Sequence, residues 1–160
     1  MIRVTADSNI YISALHFGGP PDRLLDLARS GIIELTISDD ILAEVTRVLR
    51  DKFGWSREAL SMAQARIADF TVRVAPTQKL AAVREDPADN RILECAVEGK
   101  PEYLVTQDKH LLKLKSFGIT QMIKVADFLK VVRAAGSPWN GPYRRHEPLS
   151  ADAISRDSYY

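Results

Sequence analysis

Apolar positions along the chain follow two alternating periods. Runs in which apolar residues alternate or cluster predict strands at 2–6, 32–37, 70–74, 103–106 and 121–125. In the segments between them apolar residues recur every three or four positions, which predicts helices at about 9–16, 24–31, 39–53, 56–69, 87–99, 109–115 and 126–135. Because strands separated by helices form right-handed crossovers, the pattern predicts an α/β fold, a three-layer α/β/α sandwich with a mostly parallel sheet.

The chain has 160 residues, which suits one domain with a single core. Apolar residues make up 46% and charged residues 27%, a balance typical of globular proteins and not of disordered or membrane proteins. We place the domain at 1–135. Residues 136–160 contain three prolines and no sustained periodicity, so this segment is predicted to be an arm or a disordered end.

Charge and hydropathy exclude several classes of protein. No apolar run is long enough to cross a bilayer, and the chain begins with a strand-like pattern instead of a signal peptide, so we expect a cytoplasmic protein without membrane contact. The formal net charge of +1 means that any polyanion must bind to a local basic patch. The single Cys95 cannot form an internal disulfide, and we expect a buried, unreactive thiol.

Three carboxylates are predicted to face one edge of the sheet, and a fourth is predicted to lie on the inward flank of a helix. Asp7 follows the first strand and Asp108 follows the strand at 103–106, and the carboxyl ends of parallel strands form the edge where ligands bind. Asp89 lies in the first turn of its helix, on the stripe that faces the core. Glu44 lies along the apolar flank of its own helix. Taken singly, each also has an ordinary explanation as a helix cap, a helix-dipole acid or a side chain that reaches water.

Convergence of these acids predicts a cation site. Two like charges about 4 Å apart repel by roughly 4 kcal/mol at an effective dielectric near 20, so such a cluster must bind cations or protons. Carboxylate oxygens favour Mg²⁺ or Mn²⁺, and one or two such ions can orient a water for in-line attack on phosphorus. Zinc is disfavoured because Cys95 stands alone and the histidines lack ligand spacing: His16, His110 and His146.

The order and spacing of these acids resemble the PIN-domain family, particularly the VapC-like toxins of prokaryotic toxin–antitoxin systems. The resemblance spans Ile2 to about Arg133 and rests on the motifs around Val4–Leu15, Glu44, Asp86–Ala96 and Leu104–Asp108. It implies a five-stranded parallel α/β/α fold, Mg²⁺- or Mn²⁺-dependent ribonuclease activity, a homodimer and a small antitoxin that blocks the cleft. It also implies which residues form the site: the acids Asp7, Glu44, Asp89 and Asp108, supported by Asn9 and Thr106.

Our hypothesis from the sequence is a metal-dependent endoribonuclease that hydrolyses RNA phosphodiester bonds, the toxin of a toxin–antitoxin pair. Asp7, Asp89 and Asp108 would hold the metal, and Glu44 would hold a second ion or position the attacking water. Candidate phosphate contacts, each of which also reads as an ordinary solvated side chain, are Arg47, Arg91, Lys109 and Lys113.

Three other classes of protein share some of these features. A PIN-like domain could be a non-catalytic interaction module. A receiver-like signalling domain needs a phosphoacceptor Asp after a middle strand, and neither Ile37-Ser38 nor Val74-Ala75 supplies one. A phospho-aspartate enzyme with an Asp-x-Asp motif is disfavoured because the third position is Asn9, which cannot exchange a proton.

Overall fold

A computed structural model describes residues 1–80 and 87–135. Its strands are β1 (Ile2–Ala6), β2 (Ile33–Ile37), β3 (Thr71–Arg73), β4 (Tyr103–Val105), β5 (Ser116–Phe117) and β6 (Thr120–Ile123). Its helices are α1 (Ser8–His16), α2 (Pro20–Arg29), α3 (Asp39–Asp51), α4 (Arg57–Phe70), α5 (Pro87–Gly99), α6 (Lys109–Lys113) and α7 (Val125–Ala134). Asp86, the first residue of the Asp86–Ala96 motif, and the predicted arm at 136–160 lie outside the described residues.

The described strands form one sheet in the order β3-β2-β1-β4-β6-β5. Strand β1 is parallel to β2 and β4, β2 to β3 and β4 to β6, while β5 runs antiparallel to β6. The mostly parallel α/β sandwich is confirmed. Its sixth strand, β5, was not predicted, because two residues are too short to show alternation. Gly118, at φ +60°, allows the two-residue turn that joins β5 to β6.

The three neighbouring strands β2, β1 and β4 are each followed by a helix whose first turn is capped by a side chain at the carboxyl edge of the sheet. The Asp7 side chain caps α1, the Ser38 side chain caps α3 after β2, and Asp108 caps α6 after β4. Because β1 lies between β2 and β4, these three caps are neighbours. No helix in the described ranges is both long and apolar enough to span a membrane.

Helix α5 packs on β1, β2 and α3, and its last residue is held very close to the sheet. A Cβ on Gly99 would lie 3.1 Å from Thr36 Oγ1. Thr36 is buried, and its hydroxyl lies 2.7 Å from that of Thr5 in the neighbouring strand. The left-handed conformation that ends the helix belongs to the next residue, Lys100, at φ +49°. Gly99 is therefore a close-packing glycine, and not the left-handed one that sequence rules expect after a helix.

We predict opposite effects for two substitutions at this junction. Gly99→Ala should destabilise the fold by about 1–2 kcal/mol, since Thr36 is bonded to its neighbours and cannot move away. Lys100→Gly should stabilise it by up to about 1 kcal/mol, because glycine tolerates the left-handed conformation. Urea unfolding of the two variants checks this, and a more stable Gly99→Ala protein would contradict the packing argument.

We also predict that the chain truncated after Ala135 folds. The buried apolar core of the described residues runs from Val4 in β1 to Val132 in α7, and it includes every layer of the sandwich. The truncated protein should keep a cooperative thermal transition within a few degrees of the full chain. Loss of the transition would show that residues 136–160 pack on the body.

Candidate active site

Asp7 is the most deeply placed acid of the predicted set. It directly follows the central strand β1 and is 1% exposed. Its Oδ1 accepts the Ile10 amide at 3.0 Å, and its Oδ2 accepts the Thr106 hydroxyl. Burial raises the pKa of Asp7 to about 6 although these donors favour the charged form, and the nearby negative charge of Asp108 raises it further. The site thus holds a carboxylate that is costly to ionise without a cation.

Thr106 connects Asp7 to Asp108. Its hydroxyl, fully buried at the end of β4, donates to Asp7 and accepts the Asp108 amide at 3.0 Å. Asp108 Oδ1 in turn accepts the amides of His110 and Leu111 at 2.7 and 3.2 Å. Capping uses only one oxygen of Asp108, so the other is available for a ligand. Three of the predicted residues are therefore brought together by direct contacts.

Glu44 lies in a cleft beside this group. Ser8, the residue after Asp7, lines the cleft together with residues of α3 and α5. Among the described residues the lining consists of Ser8, Asp40, Ile41, Glu44, Arg91 and Ile92. The Glu44 side chain is 30% exposed and forms an ion pair with Arg47 at 2.7 Å, one turn along its helix. The structure thus places Glu44 of α3 and Arg91 of α5 in one cleft, next to the start of α1.

Asp89 is 4% exposed in the first turn of α5, so the predicted inward direction is confirmed. Its neighbour Asn90 and, one turn later, Glu94 are also buried. Sequence reasoning did not single out Glu94, Ser8 or Asp40. The signal for Glu94 was its place inside the apolar run from Ile92 to Ala96, where a charged residue is unexpected.

The other predicted residues are at the surface. Asn9 is exposed, and its backbone amide donates a hydrogen bond to the Asp7 carboxylate. Arg47, Lys109 and Lys113 are exposed as well. Lys109 and Lys113 lie on α6, directly after Asp108.

Cys95 is buried with a free thiol, as expected. Burial raises the pKa of Cys95 to about 11, despite hydrogen bonds from Ser38, Thr36 and Thr5, so the thiol is not a nucleophile at neutral pH. His16 accepts the Trp55 indole N–H at 3.3 Å and lies against Phe53, which is a structural role.

The donor set fits a hard divalent cation only in part. Asp7 and Asp108 are oxygen donors whose mutual repulsion a cation would relieve. Within the described residues, however, no three His, Cys, Asp or Glu side chains are close enough together to hold a metal ion. Ion pairing turns Glu44 toward Arg47.

A family model described as PIN domain matches residues 3–110, and this range contains all four acids. The chain belongs to the PIN-domain family. PIN domains are generally nucleases, which supports a nuclease-type function for this one. No curated protein matches this PIN domain in sequence.

Two solved structures share the fold of this PIN domain. The crystal structure of VapBC2 from Rickettsia felis bound to a DNA fragment from their promoter has a TM-score of 0.56 and 17% identity, covering 77% of this chain and 98% of that one. The PIN domain of T. brucei RRP44 has a TM-score of 0.50 and 14% identity, covering 85% and 83%. At these identities the likeness shows the fold alone.

We predict that ionising Asp7 destabilises the metal-free PIN domain. With its pKa raised, the group favours folding by about 2–3 kcal/mol below the unfolded value near 4, and that contribution is lost as pH rises to about 6. In EDTA, Asp7→Asn should therefore be more stable than the wild type at pH 7 by on the order of 2 kcal/mol, and nearly equal at pH 4. Urea unfolding at the two pH values measures this.

Asp69→Asn is the control for this measurement. Asp69 is exposed near the end of α4, before β3 and thus at the opposite edge of the sheet. Its substitution should not change the pH dependence. If Asp7→Asn were less stable than the wild type by the same amount at both pH values, capping and not charge would determine the role of Asp7.

Proposed function

We propose that this PIN domain is a Mg²⁺- or Mn²⁺-dependent endoribonuclease that hydrolyses RNA phosphodiester bonds. The observation that carries the proposal is the buried Asp7 carboxylate, which lies at the carboxyl end of the central strand and is coupled to Asp108 through Thr106. A serine or asparagine could cap α1 without the cost of burying a charge beside a second acid, so a catalytic cation is the simplest reason for the arrangement.

The proposed residue roles follow from placement. Asp7, Asp89 and Asp108 would hold the ion, and Glu44 would hold a second ion or position the attacking water. A bound divalent ion supplies a Lewis acid and a water of lowered pKa. Thr106 keeps both oxygens of Asp7 oriented, because Oδ2 accepts its hydroxyl while Oδ1 caps α1. We assign Asn9 a supporting role at the mouth of the site.

The shape of the cleft favours a polymer over a small enclosed ligand. Its cavity volume is only about 30 Å³. Small-molecule pockets usually hold about 300–1,000 Å³ and cover most of the ligand. An open cleft with Arg91 on one wall, and with Arg47, Lys109 and Lys113 outside it, suits the phosphates of a strand that passes through.

We further propose that the protein is the toxin of a toxin–antitoxin pair. The fold shared with VapBC2, a toxin–antitoxin complex bound to promoter DNA, supports a small antitoxin as partner. A homodimer and a cytoplasmic location belong to the same proposal. Co-expression with the adjacent reading frame would identify the antitoxin by co-purification.

A second candidate function is a non-catalytic PIN-like interaction module. The observation in its favour is that the described acids do not gather closely enough to hold a metal, with Glu44 paired to Arg47. Metal-dependent cleavage of RNA separates the two functions.

We predict cleavage of a mixed RNA pool with Mg²⁺ or Mn²⁺ and none in EDTA. Asp7→Asn and Asp108→Asn should lower the rate by a factor of about 10² or more, because each removes an ionic ligand of the cation. Gel analysis of the RNA products over time measures the rate.

Asp69→Asn is again the control and should cleave like the wild type. Equal rates in EDTA and Mn²⁺ would rule out the acidic-site mechanism. Absence of cleavage in every condition, by a protein that still binds its partner, would favour the interaction module.

A further inference from the structure

Glu94 is a buried acid with no part in the proposed catalysis. It lies on α5 with 4% of its side chain exposed, between the buried residues Leu93 and Cys95. A buried carboxylate is strongly unfavourable unless an opposite charge faces it. Among the described residues, the one cation at ion-pair distance is Arg91, whose Nε lies 2.8 Å from Glu94 Oε2. The pair spans one helical turn.

Arg91 reaches from this pair into the cleft. Its side chain is 34% exposed, and it shares the cleft lining with Ser8 and Glu44. Its Nη2 donates to the Leu80 carbonyl at 3.3 Å. Neither Nε of Arg91 nor Oε2 of Glu94 is in a well-directed hydrogen bond, so the attraction between them is mainly Coulombic. The buried acid thus holds the Nε side of the guanidinium and Leu80 accepts one Nη2 proton, so the Nη1 protons and the second Nη2 proton can serve a ligand in the cleft.

We propose that Glu94 is a positioning residue that holds the Arg91 guanidinium on the α5 wall of the cleft, where it binds a backbone phosphate of RNA. This inference rests on the proposed function. A guanidinium fork binds phosphate well when its orientation is set in advance, because less freedom is lost on binding.

A second reason for this role of Glu94 is that acids on α3 would compete with RNA for Arg91. Asp40 and Glu44 of α3 line the same cleft as Arg91 of α5, and a guanidinium released from Glu94 would be attracted to them. Such a pair would neutralise both the phosphate contact and an acid of the site. Glu94 holds Arg91 at α5 and so prevents it from pairing with the acids of α3.

The test measures RNA affinity in a parent that cannot cleave, the full chain with Asp108→Asn, in Mg²⁺. The probe is a fluorescein-labelled single-stranded RNA of about 20 nucleotides, followed by anisotropy over a range of KCl concentrations. Arg91→Gln should weaken binding about tenfold and lower the slope of log affinity against log salt by about one. Glu94→Gln should weaken binding about fivefold in the parent and not further in an Arg91→Gln background.

Glu98→Gln is the matched control, since Glu98 is an exposed acid one turn further along α5. Removing either negative charge should by itself slightly favour RNA binding. If Glu94→Gln weakens RNA binding and Glu98→Gln does not, the change is opposite to the effect of net charge. The loss of affinity must then arise from the altered position of Arg91. Arg91→Lys keeps the ion pair with Glu94 but lacks the guanidinium fork. It should have the melting temperature of the parent and bind RNA about as weakly as Glu94→Gln. If Glu94→Gln does not fold, tight RNA binding by Arg91→Lys would contradict the inference.

Two results would overturn the inference alone: Glu94→Gln that binds RNA as tightly as the parent, or Glu94→Gln that weakens binding equally with and without Arg91. Both would leave the metal-dependent cleavage by the wild type intact. A parent that binds no RNA would overturn this inference and the proposed RNA substrate together.

Discussion

The site depends on one unfavourable interaction, the burial of the Asp7 carboxylate. Asp7 ends the central strand, so β2 and β4 flank it and the helices that follow them start beside it. Hydrogen bonds from Thr106 and the α1 amides are not enough to offset lost hydration, since the pKa of Asp7 is still raised to about 6. The fold therefore keeps an electrostatic penalty at the point where a cation would remove it. Such a penalty is tolerated where function requires it.

Much of this arrangement is predictable because it depends on local rules. A strand-like run that ends in Asp, followed by helical periodicity, indicates both the strand end and the helix cap, and this holds at Asp7 and Asp108. Asp89 was predictable from its spacing to Ile92 and Leu93. These inferences need only the two periods of regular structure and the parallel order of the strands.

The remaining features depend on distances between elements that are far apart in sequence. Ser8 and Asp40 line one cleft because α1 and α3 start from neighbouring strands. No local sequence pattern indicates that these two residues lie close together. Gly99 looked like a helix-ending glycine, but it is required by the approach of Thr36, 63 positions earlier in the chain. Tertiary contact determines the role of such residues, whereas local spacing predicts only their element.

The two arginine–glutamate pairs beside the site differ in how readily they can separate. Glu44 and Arg47 have side chains that are 30% and 54% exposed, and a pair so open to water contributes about 0.5 kcal/mol or less. Glu44 can therefore turn toward a cation at little cost. Glu94 is 4% exposed, so separating it from Arg91 would leave a charge buried alone, which is typically worse by about 3–5 kcal/mol. Both pairs have the same spacing. Exposure to water lets Glu44 leave Arg47 for another ligand, whereas burial keeps Glu94 bound to Arg91.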